Sequence, residues 1–132
     1  MMAGDAAGCV IELESMSEHE QHPDALRRLS IRDDAYVDLL LADEEARARL
    51  SCLDGRARAL VHLAALVAVD AAPPSYMEAI TSAREWGASS DEIAGCLIAI
   101  LPAVGVARVV SAAPKVALAL GYDVNDALET YN

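Results

Sequence analysis

The sequence predicts an all-α fold, a compact bundle of about six to eight helices that assembles into an oligomer. Composition is the first reason. Hydrophobic residues make up 55% of the chain, yet there is no Phe and one Trp, and the apolar content is mostly Ala, Leu and Val. Ala and Leu are strong helix formers, and small side chains let helices approach closely. Punctuation is the second: Asp54, Pro73-Pro74, Gly87, Ser89 and Gly121 stand where helices start and stop. The third is size. A chain of 132 residues fits one domain, and one this apolar has more to bury than its own core can hide.

The elements follow in order. Residues 1–21 are acidic and aperiodic, and they predict a flexible arm preceding a single helical domain over 22–132. Pro23-Asp24 suits a first helical turn, and Leu26 with Leu29 begins an apolar stripe. Short helices are expected over about 33–41 (Tyr36, Val37, Leu40) and 43–50, the latter with Glu44 and Glu45 early and Arg47 and Arg49 late, as the helix dipole favours. Asp54 caps a long helix over 55–70, whose interior LVHLAALVAV is apolar nearly all round and is expected to be buried on every side. Pro73-Pro74 ends it, and Pro74 opens a helix that stops at Gly87 in a left-handed cap. Ser89 to Glu92 reads as a capping box for a helix to about Leu101. A last long helix, about 103–120, carries Pro114 as an expected kink and stops at Gly121, with a final short turn over 123–131.

Charge narrows the function classes. Of the net −11, −8 lies in residues 1–54 (5 basic, 13 acidic) and −3 in residues 55–132 (5 basic, 8 acidic). Such a surface repels phosphate backbones and anionic membranes, so neither a nucleic-acid partner nor a membrane is expected. The same asymmetry predicts an oligomer with its N-terminal part outside and its C-terminal helices near the symmetry axis. Cys9, Cys52 and Cys96 form no CxxC and no zinc ligand spacing, and the N-terminus has no basic region before an apolar one. A cytoplasmic location follows, with no metal and no cofactor expected.

Between residues 53 and 120 the signals fall into a recognisable order. Leu53-Asp54 with Arg56, the Gly87-Ala88-Ser89 turn followed by Glu92-Ile93, and the Gly105 to Arg108 turn resemble the carboxymuconolactone decarboxylase and alkyl hydroperoxidase D-like superfamily. The resemblance implies an all-α protein assembled as trimers or hexamers, with a site between the long helix and the next one. It would place the CxxCxxxH cysteines of the redox branch at Ala72 and Ser75, its histidine at Ala79 and its proton-relay glutamate near Ala59 or Leu60. None of those side chains is present. The decarboxylase branch, which lacks the cysteines, would still want the histidine at Ala79.

The remaining polar residues are the candidates. His62 follows the vacated glutamate position by one helical step and suits a general base; Ser75, Glu78 and Ser82 share a face of the following helix. Each has a structural alternative: a core histidine, a helix-capping serine, a glutamate placed for the dipole. Asp70 and Tyr76 flank the proline break, and Arg108 follows the Gly105 turn; all three suit ligand contacts, or ties within the fold. Cys96 sits among apolar neighbours as a pocket wall or a small buried hydrophobe. The sequence thus favours a redox-inactive homo-oligomer holding a small, apolar or weakly polar molecule. The alternative is a non-redox enzyme of decarboxylase, isomerase or hydrolase type, moving a proton with His62 and Glu78 or Ser75. Peroxidase activity is disfavoured, because it needs a thiolate of lowered pKa beside a resolving thiol.

Overall fold

Asp33, Asp43, Asp54 and Ser89 each accept a hydrogen bond from the backbone N–H three residues on, and four helices begin there. The structure, a computed structural model, describes residues 18–122, with side chains from His22. Of the arm expected over 1–21, residues 1–17 lie outside the described residues, as does the turn over 123–131, whereas 18–21 are helical. Among those described the fold is all-α, with seven helices and no strand. The chain divides between Leu53 and Asp54 into two units.

The first unit holds α1 (Glu18–Ser30), α2 (Asp34–Ala42) and α3 (Glu44–Leu50). Helix α1 begins five residues before the expected Pro23 and runs through it. The expected apolar stripe is not buried, since Leu26 is 63% and Leu29 50% exposed. Burial falls instead on Tyr36, Leu39 and Ala46, with Ala25, Leu40 and Leu50 against them. Arg28 organises the α1–α2 corner: its guanidinium pairs with Asp24 at 2.7 Å and Asp33 at 3.5 Å and lies over the Tyr36 ring.

The second unit holds α4 (Gly55–Ala68), α5 (Pro73–Glu85), α6 (Ser90–Val104) and α7 (Val106–Leu120). Helix α4 packs on α5 and α6, and α7 closes the bundle against the same two. Leu63, Val67, Tyr76, Ile80, Ile93, Ala112 and Val116 form the core. Helix α4 buries one face only: Ala59, Leu63 and Val67 turn inward, while Val61 is 58% exposed and His62 is exposed beside it. The expectation of burial on all sides therefore fails for the single chain.

Glycine, not proline, separates the last two helices. Pro102 lies inside α6 and Pro114 inside α7, which runs on unbroken to Leu120; the break is Gly105, at φ 88° and ψ 159°. A side chain is excluded from that backbone region, whereas a proline in a last turn costs a single hydrogen bond.

Candidate functional site

The turn from α4 to α5 is built on Asp70. Its N–H donates to the Val67 carbonyl at 3.2 Å, and the next N–H, of Ala71, donates to Leu66 at 3.0 Å. This double bond closes a helix in a Schellman motif, whose middle residue must be left-handed and is usually Gly. Here it is Asp70, with φ 53°. Aspartate tolerates that conformation better than most residues, and its carboxylate is held besides. Ser111 Oγ donates to Asp70 Oδ1 at 2.9 Å, and Lys115 Nζ reaches the same oxygen at 3.4 Å and the Ala71 carbonyl at 3.1 Å. Ser111 first, then Lys115, holds the Asp70 carboxyl below its ordinary pKa, with the charge of Arg108 helping.

Tyr76 lies beneath this cluster, fully buried, with the Lys115 ammonium 5.7 Å from its ring centroid. Its hydroxyl donates to the Leu66 carbonyl at 3.2 Å, which thereby accepts a second bond beside that of the Ala71 N–H. Burial pushes the Tyr76 pKa up, and the Asp70 charge adds to the effect. Asp70, Tyr76 and Arg108 are thus brought together, as a clamp between the α4–α5 turn and α7. Ser111 and Lys115 complete it and were not among the sequence candidates. With Arg108 they fall at i, i+3 and i+7, one face of a helix, which was the available signal.

The other candidates lie elsewhere. An open groove of about 760 Å³ runs along α5 from Pro73 and Pro74 to Glu85, and Met77, Glu78, Thr81 and Ser82 line it. Glu78 and Ser82 share this groove, while half-buried Ser75 is not among its lining residues. His62 is exposed on α4, and among the described residues no hydrogen bond or ion pair joins it to Ser75, Glu78 or Ser82. Ala79, where the resemblance would place a histidine, is buried on the inner face of α5. Half-buried Cys96 lies against α4, its Sγ donating to the Leu60 carbonyl at 3.4 Å, and burial raises its thiol pKa. Cys52 is exposed. Among the described residues no group of His, Cys, Asp and Glu is placed to hold a metal ion, and no helix is long and apolar enough to cross a membrane.

No protein-family model, curated protein or solved structure matches this chain.

Proposed function

We propose that this chain is a carboxymuconolactone decarboxylase-like protein that does no thiol redox chemistry and that, as a homo-oligomer in a reducing cytoplasm, holds a small molecule. The observation that carries the reading is the state of Cys96. A peroxidatic cysteine needs its thiolate, and this thiol is half-buried, bonded to a carbonyl and shifted away from ionisation. The buried Ala79 supports the same view, because a histidine there would have to displace core atoms.

The groove along α5 supports small-molecule binding. It is an open face of a single helix, on which Met77, Pro73 and Pro74 offer apolar contact beside the polar Glu78, Thr81 and Ser82. Three measurements test the proposal. Thiol-dependent peroxide reduction should proceed no faster with the protein than with free thiol. Native mass spectrometry of the purified chain, and ligand-observed NMR with small apolar and weakly polar compounds, should reveal binding that Met77→Glu with Ser82→Glu weakens. Peroxide turnover that vanishes when the cysteines become serine would refute the redox-inactive part, and binding unaffected by the groove substitutions would refute the site.

A further inference from the structure

We infer that the outward faces of α6 and α7 are the surface on which a second copy of this chain docks. This rests on the homo-oligomer proposed above and names the surface where its subunits meet. Ile98 is 73%, Val106 66%, Val110 64% and Leu118 68% exposed, with Leu101 beside them at 37%. Ile98 and Leu101 lie about 60° apart around α6, and Val106, Val110 and Leu118 span about 120° of the outward side of α7. The two helices pack side by side, joined through Gly105.

Area and charge both point to another copy as the occupant. These five side chains expose on the order of 500 Å² of apolar surface, at the upper end of what a monomer shows in one patch. The small residues between them, such as Ala94, Pro102 and Ala113, extend the face towards the roughly 800 Å² per partner of a standard stable interface. Charge then discriminates among partners. From Ile93 to Gly121 the sequence contains no acidic residue, and its two bases are Arg108 and Lys115, although the whole chain carries −11. Lys115 is already engaged by Asp70. Two copies approaching through α1 to α3 or α5 bring carboxylates together, whereas here they meet through apolar, acid-free helices. Residues 55–69, which include α4, also lack acids but expose only Val61 and Val69 as large apolar side chains. Such a face is complementary to itself, which is what a two-fold contact requires, and the small side chains permit close helix approach.

Light scattering on the full chain at micromolar concentration tests this. The wild type is expected at a multiple of 13.9 kDa. Ile98→Glu combined with Val110→Glu should lower the mass to a smaller multiple or to one chain, with helical circular dichroism retained. Val61→Glu, on the exposed face of α4, should leave the mass unchanged. Where the glutamates unfold the protein, Ile98→Ser with Val110→Ser replaces them, with the same fall in mass expected. A folded double variant that keeps the wild-type mass overturns the assignment of this face and leaves the homo-oligomer standing. A monomeric wild type overturns both and gives the apolar face to some other partner.

Discussion

The ring of Trp86 lies against the backbone of Gly55, where any other residue would carry its Cβ. The contact seats the end of α5 on the first turn of α4, and the Arg58 guanidinium covers the ring at 5.4 Å from its centroid. Gly55→Ala would put a methyl group into the ring, so Trp86 must swing away. Alanine also improves the helix over glycine, by less than the ~1 kcal/mol of a helix interior because Gly55 is its first residue, and this partly offsets the lost contact. The expected change in unfolding free energy is therefore below about 1 kcal/mol, the balance of these two terms. Fluorescence is the sharper readout. Trp86 is the sole tryptophan and is already 56% exposed, so a small further red shift, with easier quenching by iodide, is expected as the ring leaves Gly55. Unshifted emission in Gly55→Ala would count against the contact.

Tyr76→Phe isolates the hydroxyl bond to the Leu66 carbonyl. The ring stays in the core and the Leu66 carbonyl keeps its bond from the Ala71 N–H, so a loss of no more than about 1 kcal/mol is expected in urea denaturation. Tyr76→Ala should cost about 3 to 5 kcal/mol, because it also leaves a cavity under Lys115. Equal losses for the two variants would show that the hydroxyl, and not the ring, dominates.

What the sequence made legible was local. Asp54 with Ala57, and Ser89 with Glu92, are three residues apart, and the stops at Gly87 and Gly121 depend on one backbone angle each; all four are observed. The failures involve competition or distance. The boundary expected between Leu101 and residue 103 falls instead at Gly105, because a proline in a last turn loses one bond while the Gly105 backbone excludes side chains. The clamp was half visible: Asp70 and Tyr76 were candidates because they flank Pro73-Pro74, but Ser111 and Lys115 lie 41 and 45 residues from Asp70. Their meeting depends on α7 packing beside α5, which no local pattern encodes. His62 misled for a related reason. His62 lies only about 60° round the helix from Ala59, but Ala59 stands at the edge of the stripe buried by Leu63 and Val67, and His62 falls just outside it.

The two described cysteines should separate by chemistry. Timed alkylation of the native protein near pH 8, read by mass spectrometry, is expected to modify exposed Cys52 early and Cys96 late. Burial holds Cys96 as the thiol, and the thiolate is the nucleophile. Unfolding in urea should bring the two rates together. Rapid modification of Cys96 in the folded protein would contradict its burial and remove the main support for the redox-inactive reading.

Acid should loosen the clamp at Asp70. The folded carboxyl is held below its ordinary value of 3.8 by Ser111 and then Lys115, so it binds a proton less readily than in the unfolded chain. A depressed folded pKa means that its stabilisation is present above the unfolded pKa and is lost as pH falls through the folded one. The window therefore opens near pH 4 and extends downwards. Asp70→Asn keeps the shape and tolerates the left-handed backbone, but has no such proton to take up. Its stability should thus sit below wild type at neutral pH, and the two curves should converge as pH falls below about 4. Lys115→Met, which keeps much of the apolar stem over Tyr76 and removes the ammonium, should shrink the wild-type acid dependence without abolishing it, because the Ser111 hydroxyl still bonds the carboxylate. Parallel acid limbs for wild type and Asp70→Asn would show that the carboxylate contributes nothing to holding the α4–α5 turn on α7.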